Sequence, residues 1–162
     1  MNEPRIETLS TRLFVGRSIE MSVVDNKTTE VWRSFIPELH KVKSRVGAEF
    51  YALQTYDSLS YFDEFSPKEK FIQWAAVEVS CFDSQSATMQ ELKLLGGLYA
   101  VFKHKGLASE FGNTMMNILS VWLPQSDYKL DHRPHFQVMG EKYKNDDPNS
   151  EEEVWVPIGL QK

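Results

Sequence analysis

The sequence holds one cysteine, Cys81, so no internal disulfide can staple the fold. It has no apolar run near the ~18 residues that a membrane-spanning helix needs, and its start, MNEPRIETLS, lacks the charged-then-apolar layout of a secretory leader. A soluble, cytoplasmic chain is the expectation. There is no run of basic residues, and the net charge is −5, which argues against direct nucleic-acid binding because phosphates must be met by clustered positive charge. Glycine is sparse and forms no phosphate-cradling loop; Gly96-Gly97 precedes a strand pattern, not a helix. No GxSxG appears, and Cys81 lies in a strand pattern where a small buried hydrophobe is the ordinary role. His132 and His135 flank Pro134, and no further His or Cys pair completes a metal site. No metal, cofactor or catalytic residue is expected.

Aromatic residues are plentiful, at 12% of a chain of 162 residues. That length suits one domain spanning 1–162 that buries its own core. The rings either fill that core or line a cavity for an apolar or cationic guest.

The elements read in a repeating order. RLFVGRSIEM (12–21) alternates as a half-buried strand, and Val31, Trp32, Phe35, Ile36 and Leu39 follow at helical spacing, with Pro37 expected to break or kink the helix. Strands are expected over 49–57 and 71–82, separated by a charged loop at 62–70. A strand over 98–106, an amphipathic helix from Leu107 to Trp122 stopped by Pro124, and strands over 134–140 and 153–158 complete the second half. The prediction is an α+β domain: two strand–helix–strand–strand units forming one antiparallel sheet, both main helices on one face, and a groove at the pseudo-twofold join. Trp74 pairs with Trp155, and Phe50 with Phe136, as the corresponding residues of the two halves.

GGLYAVFKHKG, VWLPQSDY, RPHFQVMGEKY and EEEVWVPI occur in that order, with VWRSF and FIQWAAVEV in the first half. Together they resemble the GyrI-like small-molecule-binding family, whose domain forms the effector-binding part of many AraC-type and MerR-type multidrug regulators. The resemblance implies a duplicated fold that holds lipophilic, often cationic, aromatic molecules between its halves. Rings stack on the guest and a buried glutamate offsets its charge. That glutamate belongs to a Pro-x-Phe-Glu block, which here reads Pro134-His135-Phe136-Gln137. A neutral amide cannot supply charge pairing, so neutral hydrogen-bonding aromatics should be tolerated better here, with Glu78 or Glu141 the candidates for a substitute acid.

Gln137 and Met139 share one strand face opposite Phe136 and Val138, and either pair can line the groove. The remaining ligand-binding candidates are Trp155, Trp74, Glu78, Tyr51, Trp32 and Phe111. Tyr51 and Tyr56 lie five apart and should face opposite ways, so at most one lines the groove. Trp155 and Trp74 are groove walls or core residues, and Trp32 either caps the pocket or fills the core. The expected role is sensing or sequestering a small molecule. The alternatives are a hydrolase of reactive small molecules and a protein-interaction inhibitor of a DNA-processing enzyme. Because the chain opens on the first strand of the domain, contact with DNA is expected to require a DNA-binding or gyrase-type protein partner.

Overall fold

In the computed structural model the described residues are 3–63, 66–107, 110–140 and 147–161. Among them run nine strands: β1 (Arg5–Leu9), β2 (Arg12–Met21), β3 (Phe50–Thr55), β4 (Phe71–Val79), β5 (Gln90–Leu94), β6 (Gly97–Lys105), β7 (Tyr128–Leu130), β8 (His135–Met139) and β9 (Glu151–Leu160). The helices are α1 (Thr28–Phe35), which passes into a 3-10 turn over Ile36–Lys41, a short α2 (Ser60–Asp63), and α3 (Phe111–Asn117). The strand order is β1-β6-β9-β8-β3-β4-β2-β5, with β7 added on β9. Every strand pairing is antiparallel.

Both main helices follow from spacing and proline. Val31 and Phe35, four apart, are the buried stripe of α1. Pro37 ends the α-helix and opens the tighter turn. The second helix starts at Phe111 and is not stopped by Pro124 as expected. It widens to a π-type segment over Ile118–Trp122, where Leu123 N–H donates to the Ile118 carbonyl, and then runs through Leu123–Gln125. The wider turn accommodates the proline ring, which would otherwise meet the carbonyl four residues back. Strands β1, β5 and β7 and the short α2 were not foreseen; each is five residues or fewer.

The pseudo-twofold axis runs between β3 and β8. Trp74 stands opposite Leu53, Leu53 opposite Phe136 and Phe136 opposite Trp155, so the two tryptophans lie level on the inner face, one on either side of this seam. Phe50 faces outward opposite Met139 whereas Phe136 faces inward, so these two are not equivalents.

The sheet is rolled. Only Ser10 and Thr11 join β1 to β2, and only Leu95 and Gly96 join β5 to β6, yet these strands lie at opposite ends of the order. Such short links require the two ends to meet. Where they do, Gly96 N–H donates to Thr11 Oγ1 (3.3 Å), and a Cβ on Gly96 would collide with the Leu9 carbonyl. Inside the roll, Leu9, Phe14, Tyr51, Leu53, Trp74, Ala76, Leu94, Tyr99, Val101, Phe136 and Trp155 form one buried cluster. On the outer face the helices cover two separate clusters. Val31 and Phe35 of α1 pack on Val15, Ala75 and Val77, and Ile118, in the π-type segment after α3, packs with Ala100, Phe102, Val154 and Val156.

Candidate functional site

The two sheet faces differ in what reaches them. Inside the roll the rings pack on one another. Phe136 and Trp155 stack at 5.2 Å and 15°, with Tyr99 edge-on to Phe136 at 5.3 Å and Phe14 edge-on to Tyr51 at 4.9 Å. Trp155 and Trp74 are 7% and 8% exposed. This face is a filled aromatic core.

The outer face between the helices is different. Register sets Ala75, Ala52, Gln137 and Val154 side by side across β4, β3, β8 and β9. Small side chains over the middle strands leave the two helix clusters apart. Ala52 is half-buried although its strand lies in the middle of the sheet, so solvent reaches the sheet floor there. Phe50 and Met139, opposite each other in register, are half-buried too and mark one end of this cleft. Trp32 packs edge-on to Phe50 at 6.0 Å and to Phe35 at 6.2 Å.

Three amides occupy the middle of the cleft. Gln54 Nε2 donates to Gln137 Oε1 (2.9 Å) and to Gln73 Oε1 (3.2 Å), and Gln137 Nε2 returns a bond to Gln54 Oε1 (3.0 Å). Gln73 Nε2 donates to the Trp74 carbonyl (3.1 Å). Gln137 is 5% exposed, which its partners make tolerable, since a buried amide without hydrogen bonds is costly.

The far end is closed by rings. Tyr61 and Phe62 on α2 lie over Tyr56, Phe71 and His135, with Phe62 stacked on His135 at 5.2 Å and 22° and edge-on to Tyr56 at 4.8 Å. His135 is 2% exposed and its Nδ1 has no hydrogen-bond partner among the described residues. Burial holds its imidazolium form off, lowering its pKa to about 3. Burial also pushes the Tyr56 hydroxyl well above its ordinary range. Just beyond, Thr55, Tyr56, His132, Arg133 and Pro134 line a hollow of about 100 Å³.

The sequence candidates divide between the faces. Gln137 and Met139 line the outer cleft, and Trp32 borders it through Phe50. Phe111 packs edge-on to His104 at 5.5 Å in the cluster under α3, away from the amides. Tyr51, Trp74, Glu78 and Trp155 do not join them. Alternation sends all four to the inside of the roll, because Phe136 and Leu53, their neighbours in register, face inward. Trp155 is therefore not a wall beside Gln137. Its Nε1 donates to Glu153 Oε1 (3.1 Å), and the Arg5 guanidinium lies 5.6 Å over its ring. Glu78 stands 3.8 Å from Arg12. Burial, and secondarily the Glu78 charge, raise the Tyr51 hydroxyl to about 12. Tyr51 and Tyr56 do face opposite ways. Glu141 lies outside the described residues. The residues not foreseen are Gln54, Gln73, Phe62, Phe71 and His135; of the two tyrosines weighed, Tyr56 is the one that reaches this end of the cleft, through its ring contacts with Phe62 and His135. A period-two reading of 50–56 that placed Gln54 with Gln137 would have found this amide partner.

Chemically, the cleft offers an apolar floor, ring walls at both ends and neutral amides between them. That suits holding a flat or globular aromatic molecule. Among the described residues no group of three or more His, Cys, Asp or Glu is placed to hold a metal ion, and no helix is long and apolar enough to cross a membrane.

The profile of the GyrI-like small molecule binding domain family matches residues 2–159. No curated protein matches the chain. Several solved structures share the fold. SAV2435, solved bound to tetraphenylphosphonium, superposes with a TM-score of 0.71 at 15% identity, over 98% of this chain and 94% of that one. EcmrR, solved in a complex with DNA, gives 0.68 at 13%, over 98% of this chain and 58% of that one. A hydrolase encoded by lin2189 from Listeria innocua gives 0.62 at 11%, over 97% and 92%.

Proposed function

From the premise that this chain belongs to the GyrI-like small molecule binding domain family, we propose that it binds a lipophilic aromatic molecule in the outer cleft between α1 and α3, for sensing or sequestration. The observation that carries this reading is the half-buried Ala52 in the middle of the sheet, with the amide trio beside it and rings at both ends. An apolar floor that solvent reaches gives a guest something to desolvate, whereas the inner rings have already desolvated one another. The Gln54–Gln137 pair offers donors and acceptors without charge, so neutral aromatics with a polar edge fit the middle of the cleft. The rings of α2 cover the closed end, and a large guest needs them to swing aside.

Tetraphenylphosphonium, the molecule held by SAV2435, is a suitable probe. Titrated against this protein, it should quench Trp32 fluorescence at the cleft mouth. Ala52→Phe should fill the floor and abolish the quench, while Trp155→Phe, inside the roll, should leave affinity unchanged. The opposite pattern would place the guest inside the roll and overturn the proposal. Recovering the probe unaltered after incubation is the expected result; a hydrolysed product from a reactive aromatic ester would favour catalysis instead.

A further inference from the structure

We propose that the outward face of the second main helix, from Gly112 to Gln125, is a self-association surface on which two copies of this chain meet about a twofold axis. The dimer stands apart from the binding reading above and forms with the cleft empty.

No Asp, Glu, Lys, Arg or His falls between Glu110 and Asp127, the longest such stretch of the chain, although 25% of all residues are charged. A buried segment lacks charge at no cost, but this one lies on the surface. Ile118 is its one buried residue. Gly112, Asn113, Met116, Asn117, Ser120 and Val121 are exposed, Met116 and Val121 at 60% and 50%. They recur four apart in two rows, 112-116-120 and 113-117-121, away from the sheet on which Ile118 packs. The helix of the first half, α1, has an ordinary water-facing surface: its exposed residues include Glu30 and Arg33. On the second helix Ser120 Oγ donates to Met116 Sγ (3.3 Å), so its hydroxyl finds an acceptor within the face.

The absence of charge selects the occupant. Surfaces that recognise an unlike partner use complementary charge, and this face offers none. In a twofold contact each residue near the axis meets its own copy, so a charged side chain there would face its like. The rest of the surface sums to −5 per chain, so two copies repel one another elsewhere. Asn117, near the middle of the stretch, suits the axis, because a carboxamide both donates and accepts and so pairs with an identical amide. Interface centres are depleted in Lys, Glu and Asp and enriched in Met, whose flexible thioether adapts to a facing surface. Glu110 and Asp127 bound the face at its ends, where crossing helices diverge and water screens charge. The helix from Phe111 to Gln125 is about 22 Å long. One helix face a side falls below the roughly 1,200 Å² of stable complexes, so the expected Kd is roughly 10–100 μM.

Sedimentation velocity from about 5 to 500 μM, a range that brackets this affinity, tests the surface on wild type, Met116→Lys, Asn117→Lys and, on α1, Arg33→Glu. Reducing conditions keep Cys81 from joining two copies. Wild type and Arg33→Glu should pass from monomer to dimer across the range. Met116→Lys and Asn117→Lys should weaken the dimer about tenfold or more, with the urea unfolding transition retained. Added salt should strengthen the wild-type dimer by screening the charge of each copy. In a Cys81→Ser background, Asn117→Cys should give a disulfide-linked dimer on mild oxidation and Arg33→Cys should not. A wild type that stays monomeric at the top of the range, a dimer that survives both lysines or dissociates in salt, or equal cross-linking through Arg33→Cys would overturn the proposal.

Discussion

Replacing His135 with phenylalanine should stabilise the protein in acid by an amount set by one buried imidazole. The ring is 2% exposed between Phe62 and Tyr56, and its Nδ1 has no partner among the described residues. Its pKa falls from 6.5 to about 3 on folding. Between those values the unfolded chain binds a proton that the folded chain refuses. Wild type therefore holds this contribution in full above pH 6.5 and loses it, at up to about 1.4 kcal/mol per pH unit, as pH falls toward 3. At pH 4.5 the loss is about 3 kcal/mol. Phenylalanine keeps an aromatic ring under α2 and cannot titrate. Whatever its larger ring costs in packing is the same at every pH, and the Glu152 titration is common to both proteins. The stability of H135F relative to wild type should thus rise by about 3 kcal/mol between pH 7.5 and pH 4.5, roughly 6–12 °C in Tm for a domain of this size. Urea unfolding followed by tryptophan fluorescence at pH 7.5, 6.0 and 4.5 measures it. A stability difference that stays flat across those three pH values would show that His135 is reached by water or protonated when folded, and the closed end of the cleft would have to be redrawn.

Other outcomes follow from the same geometry. Gln137→Leu strands the Gln54 amide and should cost about 1–3 kcal/mol, while Q54L/Q137L removes both partners and should recover part of it; a double-mutant cycle by urea unfolding shows a coupling above about 0.5 kcal/mol if the amides pair as described. Phe136→Ala deletes the ring stacked on Trp155 inside the roll and should cost about 3–5 kcal/mol in the same assay. Glu152 has the opposite sign to His135. Burial raises its folded pKa to about 7, above the ordinary 4.5, so its contribution is present below pH 4.5 and lost as pH rises through 7; E152Q should therefore be the more stable protein at pH 8, by at most about 3 kcal/mol, with the difference vanishing near pH 4.

Much of the frame was legible in local pattern. Val31 and Phe35 marked the buried stripe of α1, Pro37 marked its end, and the strands at β2, β3, β4, β6, β8 and β9 fell where alternation put them. Pro124 misled, because a π-type turn lets a proline sit inside a helix and no local signal announces that turn. The edge strands β1 and β5 were missed because five residues of mixed charge carry little periodicity. The supposed kinship of Phe50 and Phe136 rested on residue type at similar spacing, and only pairing register, which sends Phe50 outward and Phe136 inward, could correct it.

The chain by itself determined that two strand–helix–strand–strand units pair into one sheet, since turn residues, proline positions and two periodicities are local properties. It also determined which side chains travel together: Gln137 with Met139, and Phe136 with Val138. Which of those sets meets the guest-accessible cleft was decided by tertiary structure alone. In FIQWAAVEV both sets of alternating residues are largely apolar and buried, so polarity gives no reason to prefer one face. The choice was made when the two-residue links at Ser10–Thr11 and Leu95–Gly96 forced the sheet to roll. Rolling sealed Trp74, Trp155 and Tyr51 inside and left Gln54, Gln137 and Ala52 on the outer face between two helices that do not meet.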